Sequence, residues 1–265
     1  MRREFLWRFL ILLLLVYVSF AETLAQGADA TFGTAIAAYR TENEIIVAVD
    51  SRSTNVESMC KILQLGDTFV TAGGLYRDPA TNFNLWEILS MSAFGGGKLS
   101  DIVKRFETFV RVPLQNAVAA IKNQQPNLYQ EKFINKTAIH VLFFGIEDNV
   151  VTMKYRKVYV FPKTDDLLSV NITAYDCPEI LCPDGKGVVL LGKNEGDRQK
   201  IGEIFRKPFL SEGNKCNVVD LARKFVQMMI DKDSVSFGPP IDILSVTKDG
   251  AQWIQKKETC PEIKK

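Results

Sequence analysis

The sequence predicts an α+β fold in which two antiparallel sheets pack face to face and a pair of helices backs each one. Three observations lead there. Period-two alternation with β-branched residues marks ten short segments, and each half of the chain also carries two amphipathic helical stretches. No linker-like composition divides residues 34–255. The resulting order is strands, two helices, strands, two helices, strands. It buries every apolar face if the sheets pack on each other and the helices cover their outer surfaces, a four-layer αββα sandwich in one domain.

The elements follow in order. Strands are expected at 34–40, 44–50, 60–65 and 67–73, with a turn at Glu42-Asn43 and the fourth strand ending at Ala72-Gly73-Gly74. A helix over 79–94 places Leu85, Ile88 and Leu89 on one face. A second is capped by Ser100, carries Ile102, Val103, Phe106 and Phe109 with Val110 on the flank, and is kinked or divided by Pro113 before Val118–Ile121. Gly95-Gly96-Gly97 between them is a joint, since it lacks both the spacing and the preceding strand of a nucleotide loop. Strands at 137–146 and 150–161 turn at Asp148-Asn149, and further strands cover 168–174 and 188–191. Helices near 195–206 and 217–231 precede closing strands at 241–247 and 251–255.

Composition excludes several functions. The chain is 46% apolar and 24% charged with a net charge of +2, which gives no electrostatic case for nucleic acid or an anionic membrane. The pairs Arg156-Lys157, Lys256-Lys257 and Lys264-Lys265 read as solvated surface. A single histidine and the lack of a CxxC pair argue against zinc, and nothing calls for another cofactor.

The first thirty residues differ from the rest. Arg2, Arg3 and Arg8 precede an apolar stretch, Phe9 to Phe20, that is short for a bilayer span. Small residues then follow at Ala21 and at Ala28-Asp29-Ala30. This reads as an export signal over 1–21 (to 30 by the second site), and an uncleaved anchor is the alternative. The mature chain would be secreted or periplasmic, with no stable membrane association. Cys177 and Cys182 bracket a short loop and form the favoured disulfide; Cys60, Cys216 and Cys260 are left for other bonds or thiols. Asn135-Lys136-Thr137 and Asn171-Ile172-Thr173 match a glycosylation acceptor pattern but fall in expected strands, where chance matches are the better reading.

Thr34 after Gly33 is the principal chemical feature. If the bond before it is cut, the threonine hydroxyl sits beside its own free α-amine, a nucleophile and base that need no histidine. In an antiparallel meander Asp50 at the end of the second strand, Lys61 early in the third and Gly73 at the end of the fourth would converge on it. Lys61 would supply positive charge, Asp50 would orient it, and the Gly73 N–H would donate to an oxyanion.

These residues resemble the proteasome β-type subunits and their bacterial relatives among the N-terminal-nucleophile hydrolases. The likeness rests on Gly33-Thr34, Val47-Ala48-Val49-Asp50-Ser51-Arg52, Lys61 and Thr71-Ala72-Gly73-Gly74. It also rests on Asp233-Ser234-Val235-Ser236, on Gly238–Leu244 and on Lys248-Asp249-Gly250. The resemblance spans about residues 33–255 and implies the same four-layer sandwich. It implies an exported hydrolase that cleaves peptide or amide bonds with Thr34, freed by self-cleavage after Gly33, and with Asp233 and Ser236 supporting the nucleophile. A pro-segment over 22–33 and a tail over 256–265 would flank the domain, and a homo-oligomer is implied too. Gly192-Lys193-Asn194 departs from the family's Gly-Ser-Gly, and Phe237 stands where the family has glycine. A catalytically inactive scaffold or binding protein, or an amidase for small amides, are the alternative functions.

Overall fold

A computed structural model describes residues 31–52, 59–164, 167–177, 179–182, 184–192, 198–212 and 217–264. The expected signal segment, Lys193-Asn194 and Cys216 lie outside them. Twelve strands form among the described residues: β1 (Thr31–Phe32), β2 (Ile36–Arg40), β3 (Glu44–Val49), β4 (Ile62–Leu65), β5 (Thr68–Asp78) and β6 (Phe83–Asn84), then β7 (Thr137–Glu147), β8 (Val150–Pro162), β9 (Leu168–Asp176), β10 (Gly187–Leu191), β11 (Asp242–Thr247) and β12 (Gly250–Gln255). The helices are α1 (Leu85–Ala93), α2 (Leu99–Phe109), α3 (Arg111–Gln124), α4 (Pro126–Lys132), α5 (Arg198–Ile201), α6 (Lys207–Glu212) and α7 (Val218–Lys232). A π-helical turn, Gly202–Arg206, joins α5 to α6.

The fold is α+β with two antiparallel sheets. One orders its strands β1-β5-β7-β8-β9, with β4 and β6 also paired to β5; the other runs β10-β2-β3-β11-β12. Strand alternation assigns the apolar side chains to separate cores. Ile36, Ala38, Ile45 and Val47 share a cluster with Phe69, Leu142, Phe144 and Met153 of the other sheet. The intervening residues Ala37, Tyr39, Ile46 and Ala48 instead pack with Phe209, Phe225 and Met229 from α6 and α7. On the first sheet, Val70, Ile139, Val141 and Phe143 pack with Leu89 of α1, Phe106 of α2 and Val118 of α3. The central strands are therefore buried on both faces.

Several expectations need correction. The strand at 67–73 does not stop at the glycines but continues to Asp78, because Gly74 adopts φ +100° and lets the strand bend and pair onward with β1 and β6. A Cβ on Gly74 would lie 2.2 Å from the Ala138 carbonyl oxygen, so the bend also needs the bare backbone. Residues 79–82 form a turn rather than the first turn of a helix; α1 starts at Leu85 because the Asn84 side chain caps it by accepting from the Trp86 N–H at 3.1 Å. Pro113 lies in the first turn of α3, where it leaves the helix intact; the break falls at Val110. Asn135 occupies an exposed turn with φ +56°, not a strand.

The basic pairs are not all surface. Arg156 is buried and pairs with Glu107 at 2.5 Å and with Asp176. Lys257 is buried against Asp242 at 2.9 Å, since a carboxylate out of contact with water requires a counter-charge. The expected tail thus packs into the domain. Two disulfides form, Cys177–Cys182 as expected and Cys60–Cys260, with Cα–Cα separations of 4.8 and 5.0 Å. Among the described residues no helix is long and apolar enough to cross a membrane.

Candidate active site

Thr34 lies just before β2, at the end of the space between the sheets, and is 6% exposed. The β2–β3 register brings the end of β3 back beside it. Asp50, fully buried, accepts the Ala35 N–H on Oδ1 at 2.8 Å and the Arg52 and Gly238 N–H groups on Oδ2 at 3.1 and 3.2 Å. Three backbone donors and an ammonium fix this carboxylate as an acceptor.

The ammonium is that of Lys61, which sits immediately before β4. Its Nζ is 3.0 Å from Asp50 Oδ1 and 3.2 Å from the Gly33 carbonyl oxygen, and it also donates to the Arg52 carbonyl. Burial pushes the Lys61 pKa down to about 8, against the opposing pull of Asp50. Thr34 Oγ1 donates to the same Gly33 carbonyl oxygen at 2.5 Å. Gly33 itself has φ +109°, a conformation that favours glycine at the bond before the threonine.

The remaining predicted residues are close but differently disposed. Gly73 lies against Thr34: a Cβ built on it would be in van der Waals contact with the threonine Cβ, at 3.7 Å. Asp233 ends α7, and its carboxylate accepts the Ser236 N–H at 3.1 Å in a post-helix turn. That turn brings the Ser236 carbonyl to 3.0 Å from where a Gly33 Cβ would stand. Ser236 therefore meets the site through its backbone. Phe237 is buried in the core against α7 and donates its N–H to the Asp233 carbonyl.

Two residues escaped the sequence reading. The Tyr76 hydroxyl contacts Thr34 Oγ1 and donates to the Ala72 carbonyl. Its ring is buried and stacks on Trp86 at 5.5 Å, and burial raises the phenol pKa well above its ordinary value, so it stays protonated. Each hydroxyl has one proton to give, so the Thr34–Tyr76 contact competes with the bonds to the Gly33 and Ala72 carbonyls. The other is His140, which pairs with Gly73 across the β5–β7 ladder and bonds Tyr155 Oη through Nδ1 at 2.5 Å. The sequence signal for both was faint: a tyrosine two residues beyond a glycine pair, and the only histidine in the chain.

A cavity of about 990 Å³ opens beside this group and is lined by Thr34, Gly73, His140 and Ser236 among others. The metal-type cluster Cys60, Asp242 and Cys260 offers no thiolate, since the cysteines are bonded to each other, and Asp242 is held by Lys257. No protein-family model matches the chain, and no curated protein matches it.

Proposed function

We propose that the chain is an exported N-terminal-nucleophile hydrolase of the proteasome β-subunit type, cleaving peptide or amide bonds with Thr34 after self-cleavage at Gly33-Thr34. One observation carries this reading. A buried lysine, oriented by a buried carboxylate, and the adjacent threonine hydroxyl both donate to the carbonyl oxygen of the Gly33-Thr34 bond. The three apolar clusters, one between the sheets and one between each sheet and its helices, support the four-layer αββα sandwich of that superfamily.

The chemistry runs in two stages. Thr34 Oγ attacks the Gly33 carbonyl carbon while Lys61 donates to the developing oxyanion, and the hydroxyl proton passes through solvent to the amide nitrogen. Collapse of that intermediate breaks the C–N bond, moving the Gly33 acyl group from nitrogen to oxygen as an ester. Water then hydrolyses the ester, leaving a Gly33 carboxylate and a Thr34 with a free amine. In the second stage that amine, with an unperturbed pKa of about 7.7–8.0, takes the hydroxyl proton as Thr34 attacks a substrate amide. The ammonium of Lys61, nearby, favours the neutral amine.

The size of the cavity favours a peptide over a small amide, since a pocket of about 990 Å³ lies at the upper end of those that enclose drug-sized molecules. Disulfides persist in oxidising compartments, which supports export. Intact mass and N-terminal sequencing of the purified protein, beside a Thr34→Ala variant, test the reading. A wild-type chain beginning at Thr34 and a variant retaining the Gly33-Thr34 bond are expected. Both chains starting upstream would leave the amine blocked and move the assignment to an inactive scaffold.

A further inference from the structure

Strand register carries the site sideways along the first sheet. Gly73 of β5 pairs with His140 of β7, His140 with Lys157 of β8, and Lys157 with Thr173 of β9. Directly paired residues project from the same face of a sheet. Lys157 shares the period-two face of Met153 and Tyr155, both of which belong to the core between the sheets. The row that starts beside Thr34 therefore continues through an imidazole to an ammonium two strands away, about 10 Å at ordinary strand spacing.

The environment of that ammonium is unusual. Lys157 lines the cavity half-buried, with Nζ 5.2 Å from the centroid of the Tyr175 ring and 5.9 Å from that of Tyr155. Two aromatic faces favour a cation and restrict its rotamers. Asp176 of β9 and Glu147 of β7, on the strands flanking β8, are engaged by Lys154 and Arg156. Lys132 and Arg206 also reach the cavity wall, whereas no aspartate or glutamate lies among its described lining residues. Lys132 is partly neutralised by Glu131 at 2.8 Å, and Arg206 is exposed, so Lys157 is the ammonium best placed to act inside.

We propose that this cavity selects a carboxylate, with Lys157 as the specificity residue, so that the preferred substrate is a peptide with an acidic side chain close to the scissile bond. The inference rests on Thr34 being the nucleophile of a hydrolase. A carboxylate entering the cavity would meet the ammonium without having to displace a resident anion. A basic side chain would be repelled by Lys157, and a neutral one would leave the ammonium unpaired by an anion.

Binding and turnover test the two readings separately. Tripeptides with a blocked N-terminus and an amidated C-terminus, ending in Glu, Gln or Lys, are titrated calorimetrically into the wild-type protein and into Lys157→Ala. A fourth peptide, neutral in its side chains but with a free C-terminal carboxylate, separates the two sources of that group. The same three sequences carrying a fluorogenic amide leaving group report turnover. The Glu peptide is expected to bind about tenfold more tightly than the Gln peptide, with most of that difference lost in Lys157→Ala. Equal binding of Glu, Gln and Lys peptides would overturn the inference, whether or not any is cleaved. Tighter binding of the free-acid peptide than of the Glu amide would overturn the assignment to a side chain. Selective binding without turnover of any substrate would retain the carboxylate subsite and reject the hydrolase.

Discussion

Lys61 and Asp50 form an ion pair 3.0 Å apart with both side chains wholly out of contact with solvent, and the same ammonium holds the Gly33 carbonyl. Burial of two charges is costly, and it is sustained here because the carboxylate is also satisfied by three backbone N–H groups. Removing one partner leaves the other uncompensated. Lys61→Ala is expected to lower stability by about 3–5 kcal/mol in urea denaturation and to stop self-cleavage. Lys61→Met combined with Asp50→Asn removes both charges at similar volume and should recover part of that stability while remaining uncleaved. A double variant that processes normally would show that the ammonium is structural only.

The pH dependence follows from the same lysine. With its pKa lowered to about 8, Lys61 is largely an ammonium at neutral pH and loses its proton well before an exposed lysine does. Self-cleavage, followed by mass spectrometry, should therefore fall as pH rises past about 8. Asp50 acts to raise this pKa, so Asp50→Asn should move the alkaline fall to lower pH in whatever activity survives. Stability moves the other way. Between about 8 and the unfolded value of about 10.4 the folded state binds fewer protons at this group, so its contribution to stability rises with pH across that window. The difference in denaturation free energy between wild type and Lys61→Met, measured at pH 7.5 and pH 10, isolates that term; no change would argue against a depressed pKa.

Tyr76→Phe isolates the hydroxyl that touches Thr34. The ring stack on Trp86 survives the change, so stability should fall by no more than about 1.5 kcal/mol. Processing should slow by about tenfold, because the threonine hydroxyl loses a polar partner that fixes its position. Unchanged or faster processing would mean that the tyrosine restrains the nucleophile rather than orienting it.

What could be read from the sequence divides along physical lines. The strands were legible because both sheets are buried on one or both faces and alternate accordingly, and Asp50 and Lys61 were legible because a short meander has few ways to fold. Gly73-Gly74 misled because a glycine pair reads as a breaker, whereas here one positive φ bends a strand that then runs on to Asp78. That bend is what brings Tyr76 back to Thr34, 42 residues away, and no local pattern encodes it. His140 and Lys157 entered the site through register, which depends on pairings between strands rather than on spacing within one. Helix α4 was missed because seven residues hold too few turns to show a period.

Cys60 stands next to Lys61 in the chain and is bonded to Cys260, three residues beyond the buried Lys257. Lys257 in turn donates to Ser51 and to the Met59 carbonyl and pairs with Asp242, so the C-terminal segment is anchored next to Asp50 and next to Lys61. The bond joins residues 200 apart in sequence, and a constraint on so long a loop removes much unfolded-state entropy. Cys260→Ser is expected to cost about 2–5 kcal/mol in reducing-agent-free denaturation. Its effect on processing should exceed its effect on fold content, because the residue beside Cys60 is the one that holds the Gly33 carbonyl. Circular dichroism alongside the processing rate separates these outcomes. A variant with wild-type processing at full fold content would show that strand pairing alone positions Lys61.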